Sequence, residues 1–203
     1  MKKMILRVLL ALLLLVLLAA AGFGVLYAGR LRTVNSIEKI TDYSDYNLYR
    51  MDVRYDYGIP YNQSMIDAIL KETLPLLPIH MKAPQFGCSA FATVQDRHIV
   101  MGRNYDFKRD TSAMLVYCTP KDGYKSVALA ALDNISANQP DVSMAKKLAC
   151  LTAPFICLDG MNEKGVSIAV LTLDSEPVNQ DTGKQKIFTT LAIRLVLDRA
   201  DTT

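Results

Sequence analysis

The sequence contains no tryptophan, only two histidines (His80 and His98), and no pair of cysteines at C-x-x-C spacing. Those absences weigh against a structural zinc site, which draws four Cys or His ligands from closely spaced pairs. There is no basic block and no Lys/Arg stripe interleaved with aromatics, and the formal net charge is a mild +3, so no nucleic-acid partner is expected. Internal repeats and low-complexity tracts are also missing. With 203 residues, the chain has room for one domain and an appendage.

What is present begins with a long uncharged run. Lys2, Lys3 and Arg7 precede it, and Val8–Tyr27 carries no charge across 20 residues rich in Leu and Ala. At about 1.5 Å per residue such a helix spans a hydrocarbon core of roughly 30 Å. A soluble core helix would show a polar face, and this stretch has none. The small residues of Ala19–Gly24 could supply a signal-peptide cleavage site, but Val25–Tyr27 continues the apolar run. An uncleaved signal anchor is therefore preferred, with secretion as the outcome if the signal is removed. Positive charge is denser before the segment than after it, which places the N-terminus inside and the remaining chain outside. Residues 1–30 are thus expected to anchor the chain, with the membrane contacted through residues 8–27.

Residues 31–61 are polar and rich in Tyr and Asp, with an alternation around Leu48–Tyr57 that suits one or two edge strands. The stretch from Asn62 to Pro78 carries a helical stripe at Met65, Ile66, Ile69, Leu70 and Leu74, broken by Pro75 and Pro78. A loop is expected over His80–Gly87. From Cys88 the texture changes to short β-type runs: CSAFATVQ, HIVMGRNY, AMLVYCT, YKSVALAAL and, after a turn-like DGMNEKG, the strand GVSIAVLTL (Gly165–Leu173). SMAKKLACL reads as a short helix. The closing KQKIFTTLAIRLVLDRA places Ile187, Leu191, Arg194 or Leu195, and Asp198 on successive helical turns. Strands followed by a helix predict an α+β fold, with helices laid on an antiparallel sheet.

Of the four cysteines, Cys118, Cys150 and Cys157 lie in apolar contexts and read as buried thiols. Cys88 differs, for it stands between small residues ahead of the polar knot Gly102–Asp106. A thiol with an ordinary pKa near 8.5 needs a base or a positive neighbour to act as a nucleophile. His98, ten residues on and across a hairpin, is a poor base for it and reads as a strand-end histidine. An α-amino group is the alternative. If the Gly87–Cys88 bond were cut, Cys88 would carry its own amine, with a pKa of about 7.7–8.0, beside its own sulfur. The side-chain-free Gly87 would let the thiol approach the preceding carbonyl.

The stretch GCSAF…GRNYDF, together with the later DGMNEKGVSIAVLTL, resembles the N-terminal nucleophile hydrolases of the choloylglycine hydrolase and penicillin V acylase type, and their acyltransferase relatives acting on the penicillin nucleus. The resemblance covers Gly87 to Thr203. It implies a four-layer αββα sandwich and no metal or organic cofactor. Cys88 would be the nucleophile and, through its freed amine, the general base. Arg103 and Asp106 would be the charged pair, the carboxylate accepting a hydrogen bond from the amine and the guanidinium standing near the thiolate. Asn162 would bind substrate or the oxyanion. Structural readings stay open beside these: an ion pair bracing a strand end for Arg103 and Asp106, and a turn asparagine ahead of Gly165 for Asn162.

The chain departs from the family pattern in two ways. Because 87 residues precede Cys88, residues 31–87 are expected to form a pro-segment, cut at Gly87–Cys88, with residues 88–203 as the catalytic domain. That domain is shorter than the family's, so only the N-terminal half of the sandwich is expected within this sequence. The implied activity is hydrolysis of a small-molecule N-acyl amide of the bile-salt, penicillin V or N-acyl amino acid type. Acyl transfer to an amine, and a non-catalytic membrane-anchored binding domain, remain the alternatives. Homo-oligomerisation is left open.

Overall fold

A computed structural model describes residues 2–44, 47–58, 86–96, 98–107, 111–171, 183–184 and 187–202. The helix expected over residues 62–78, and His80, lie outside the described residues.

Helix α1 (Lys2–Asn35) runs unbroken for 34 residues and is long and apolar enough to cross a membrane. Leu and Ala, both strong helix formers, dominate it, and no proline interrupts it. Its last two turns pack on the folded domain. Gly29 lies so close to the carbonyl of Arg54 and to Tyr55 that a Cβ there would collide with them. The Thr33 hydroxyl donates to the Gly29 carbonyl (3.0 Å) and accepts from the Arg54 amide (2.7 Å). Ser36 Oγ accepts from the Asp52 amide at 2.9 Å, just past the helix end.

Six strands form the main sheet: β1 (Glu38–Lys39), β2 (Leu48–Val53), β5 (Ala113–Cys118), β6 (Ser126–Ala131), β7 (Cys157–Asn162) and β8 (Ser167–Ala169), in the spatial order β1-β2-β5-β6-β7-β8. All neighbours are antiparallel except β2 and β5, which are parallel from Leu48↔Ala113 to Val53↔Cys118. The sheet arises from period-two alternation. Tyr49, Met51, Val53, Met114, Val116, Cys118, Ala128 and Ala130 point to one face and are buried. Helices α2 (Met144–Ala149) and α3 (Thr189–Arg199) and a 3-10 helix over Cys150–Phe155 complete this core. Leu191, Ile193 and Leu197 are buried there; truncating any one to Ala would cost about 2–5 kcal/mol.

A separate two-stranded hairpin, β3 (Phe86–Gln95) and β4 (His98–Phe107), closes at Gln95↔His98. Asp96 takes a positive φ of 49° in its turn, as two-residue hairpin loops require. Cross-strand pairing puts Cys88, Ala90, Ala92 and Val94 on one face with Tyr105, Arg103, Met101 and Ile99. Ser89, Phe91 and Thr93 share the other face with Asn104, Gly102 and Val100. The Phe91 ring fills the space that a side chain at residue 102 would need.

The described residues thus form a mixed α/β fold, with the short helix expected near residue 144 and the closing helix both present on a mostly antiparallel sheet. Three local expectations change. DGMNEKG is largely strand, because Cys157–Asn162 pairs with both β6 and β8, and only the residues after it turn. The strand expected over Gly165–Leu173 is shorter, spanning Ser167–Ala169 within the described residues. β2 is not an edge strand, since β1 pairs with it on one side and β5 on the other.

Candidate active site

One end of the hairpin's Cys88 face, carrying Met101, Arg103 and Tyr105, meets the open face of the main sheet, while Val94 and Ile99 at the turn end stay exposed. On β7, alternation turns Asp159 and Met161 toward the hairpin. Gly160 and Asn162 face the helices, where a Cβ at Gly160 would press on Leu197. Arg103 reaches across the gap and joins three elements. Its Nη1 donates to Asp159 Oδ2 at 2.8 Å; its Nη2 donates to Cys88 Sγ at 3.3 Å and to the Val170 carbonyl at 3.1 Å. The ring of Tyr105 lies under the guanidinium, 4.7 Å from centroid to Cζ. The ion pair is nearly dry, with side-chain exposures of 6% for Arg103 and 15% for Asp159.

Burial in this pair raises the Asp159 carboxyl above the ordinary carboxylate value, with Arg103 pulling in the opposite direction. Tyr105 is pushed up to about 12, chiefly by burial, so its phenol stays protonated at neutral pH. Cys88 itself is half-buried and a free thiol. It is therefore accessible to a small molecule and faces the fixed positive charge of Arg103.

Beside the guanidinium opens a cavity of about 380 Å³, lined by Met101, Arg103, Tyr105, Leu115, Leu129 and Asp159 among others. Its wall is mostly apolar with a few converging polar groups, the composition usual for a small-molecule site. A larger cavity of about 630 Å³ lies at the C-terminal ends of β2 and β5, lined by Asp52–Asp56, Tyr117, Thr119 and Lys121, away from the thiol. Of these two cavities, only the smaller is lined by the arginine that contacts a cysteine.

The four expected site residues are not all brought together. Cys88 and Arg103 meet. Asp106 stands opposite Gly87 in the hairpin register, so its side chain points to the other face, exposed, and accepts a hydrogen bond from Asn104 Nδ2 at 2.7 Å. Arg103 pairs with Asp159 in this structure, not with Asp106. Asn162 is buried at 4% exposure, and its carboxamide is fully used. Its Nδ2 donates to the Leu197 and Ala200 carbonyls (3.2 and 2.7 Å), and its Oδ1 accepts from the Lys164 and Val166 amides (both 3.0 Å). It shapes the turn ahead of Gly165 and fastens it to the end of α3.

Asp159 is a residue that sequence reasoning misses. The signal available for it is its place in a period-two run, two residues before Met161 and on the face opposite Asn162; reading DGMNEKG as a turn conceals it. Among the described residues no group of His, Cys, Asp and Glu has the arrangement of a metal site.

No curated protein and no solved structure matches the chain. The family model for linear amide C–N hydrolases, choloylglycine hydrolase family, matches residues 88–203, beginning at the cysteine that Arg103 contacts. The chain therefore belongs to the choloylglycine hydrolase family of linear amide C–N hydrolases.

Proposed function

We propose that this protein hydrolyses a linear N-acyl amide through a thioester on Cys88, after the chain has been cut at Gly87–Cys88. The observation that carries the reading is the 3.3 Å contact from Arg103 to Cys88 Sγ at the first residue of the family match. In the precursor, Sγ attacks the Gly87 carbonyl carbon, the C–N bond breaks as the nitrogen takes the thiol proton, and water then cleaves the thioester. Gly87 leaves with a carboxylate and Cys88 keeps a free amine. Asp106, at the register position facing Gly87, stands one step from that nitrogen and would accept its hydrogen bond.

Turnover repeats the chemistry on a substrate. The sulfur adds to the amide carbonyl while the α-amine takes the thiol proton. That proton passes to the leaving amine, and water, deprotonated by the same α-amine, releases the acid. Arg103 holds negative charge on sulfur, and Asp159 and the Val170 carbonyl fix the guanidinium in place. A well-placed donor of this kind is commonly worth about 3–4 kcal/mol in the transition state. The apolar cavity beside Arg103 suits the acyl portion of the substrate. We further assign the whole to an αββα sandwich whose facing sheets are the main sheet and the hairpin, with α1 anchoring the domain on the outer side of a membrane.

N-terminal sequencing of the mature protein, paired with release of acid from a chromogenic N-acyl amide, tests this reading. A chain beginning at Cys88 that turns over is expected. Turnover by a protein whose Gly87–Cys88 bond is intact would refute the mechanism.

A further inference from the structure

Helix α1 and strand β2 run in opposite directions, and this fixes which end of the sheet faces the apolar part of the helix. Ser36 Oγ accepts from the Asp52 amide and Thr33 Oγ1 from the Arg54 amide, while Gly29 lies against Tyr55. Each step along the chain from Asp52 to Tyr55 therefore leads back toward Tyr27, the last residue of the uncharged run. β5 is parallel to β2, so its C-terminal end points the same way, as does the turn after it that carries Lys121. The cavity of about 630 Å³ opens at this end, lined by Arg54, Tyr55, Asp56, Tyr117, Thr119 and Lys121 among others.

At about 1.5 Å per residue, Gly29 lies roughly 3 Å past Tyr27 along the helix. A bilayer's polar layer is about 5–8 Å deep on each side of its hydrocarbon, so a helix embedded through Tyr27 holds Arg54 and Tyr55 at the depth of the headgroups. The side chains found there suit that depth. The Arg30 guanidinium covers the rings of Tyr27 (5.3 Å) and Tyr55 (5.5 Å), a pairing usual at the boundary of membrane and water. Arg50 and Arg54 both donate to Asp52, each at 3.2 Å, so one carboxylate steadies two guanidiniums and cannot neutralise both. The Arg54 side chain stays 56% exposed, Lys121 is exposed, and Asp56 turns one oxygen back to the Gly58 amide at 3.3 Å. Lys125 and Lys164 at the same end are matched by Asp122 and Glu163. Among the described residues this leaves Arg30, Arg54 and Lys121 around the cavity against Asp56.

We propose that this cavity holds the phosphate of an anionic phospholipid, with Arg54 and Lys121 on its oxygens and Thr119 adding a hydroxyl. The proposal rests on the reading of α1 as a membrane span. Scattered basic residues near a bilayer are drawn to anionic headgroups by charge alone. Here the lining is concave and Asp52 holds Arg54 in place, so one lipid is recognised at a defined point. The bound lipid gives the domain a second contact with the bilayer beside the helix.

The test uses the full-length chain in a neutral detergent, titrated with dihexanoyl phosphatidylglycerol, dihexanoyl phosphatidylcholine or inorganic phosphate and read by native mass spectrometry. A single phosphatidylglycerol should bind each chain, about tenfold or more tightly than phosphatidylcholine. Arg54→Gln and Lys121→Gln should each weaken it about fivefold. Lys121→Gln alters an exposed side chain, so it keeps the test readable if Arg54→Gln lowers the thermal midpoint. Equal affinity for the two lipids, or unchanged affinity in both variants, would overturn the proposal. So would inorganic phosphate that displaces the lipid at equal concentration, because the cavity would then belong to a free anion. Alkaline carbonate extraction of membranes carrying the chain separates this idea from the one beneath it. A chain released by carbonate would refute the membrane span and the lipid with it. A chain that stays in the membrane and shows no preference for phosphatidylglycerol would refute the lipid site alone.

Discussion

The molecule contains the same three-part grouping twice. At the cleft, Arg103 pairs with Asp159 at 2.8 Å and reaches Cys88 Sγ at 3.3 Å. In the core, Arg194 Nη2 pairs with Asp198 at 2.5 Å and also donates to Ser126 Oγ, while its Nη1 reaches Cys118 Sγ at 3.2 Å. The chemistry of the groups is nearly identical, but their surroundings are not. Arg194, Asp198 and Cys118 are 0%, 1% and 2% exposed, and burial pushes the Cys118 thiol up to about 11 despite the guanidinium beside it. Cys88 is half-buried and next to a cavity. A neighbouring arginine therefore does not distinguish the two cysteines; access to a small molecule does.

Substitution can break this comparison. The largest effect is expected from Cys88→Ala, which should lower amide hydrolysis by roughly 10³-fold or more and stop cleavage at Gly87–Cys88. Cys118→Ala should leave both intact. Loss of activity in the second variant, or retention in the first, would put the nucleophile in the wrong place.

Next come the arginines. Arg103→Ala should reduce kcat/KM by about 10²–10³-fold, the scale of one oxyanion-type donor, with a smaller effect on the urea midpoint. Arg194→Ala should do the reverse. It strands a buried carboxylate and should cost about 3–5 kcal/mol in urea unfolding. If the two variants lose stability equally, both groupings are struts and the cleft is not catalytic.

A smaller effect is expected from Asp159→Asn, about tenfold in kcat/KM, because the guanidinium loses an anchor but keeps the Val170 carbonyl. Its pH profile carries more information. The Asp159 carboxyl is raised by burial, so on acidification it takes up a proton above the ordinary carboxylate range and releases Arg103. Activity controlled by this pair should accordingly fall on the acid side at a higher pH than a free carboxylate would dictate. Asp159→Asn should abolish that limb, and an unchanged profile would assign it to another group. The smallest change is expected for Asp106→Asn in global stability, within about 0.5 kcal/mol, because the carboxylate is exposed. Thermal unfolding measures it, and a larger loss would mean that Asp106 braces the hairpin.

Much of this architecture is legible in the amino-acid order, and the reasons are local. Period-two runs locate β3 to β6, and the stripe Leu191, Arg194, Asp198 marks the buried side of α3, although two charged residues in it signal a core ion pair rather than a surface. The Cys88–Arg103 association is legible through the family motif. Register is not. Whether Asp106 or Arg103 shares a face with Cys88 depends on which residues stand opposite in the hairpin, and a slip of one residue inverts the answer. The role of Asn162 depends on the backbone it bonds at the end of α3, which no local pattern encodes. Nor does the chain upstream of Cys88 advertise that its alternating tyrosines fill the core of the downstream domain, since parallel pairing of β2 with β5 joins residues far apart in sequence.

The unbroken course of α1 into the domain has one more effect. Its 34 residues measure about 51 Å, of which a bilayer's hydrocarbon would take roughly 30 Å, and the last two turns are already clasped by Arg54, Asp52 and Leu151. No slack remains between this helix and the domain. Wherever α1 is embedded, the domain tilts and turns only as the helix does.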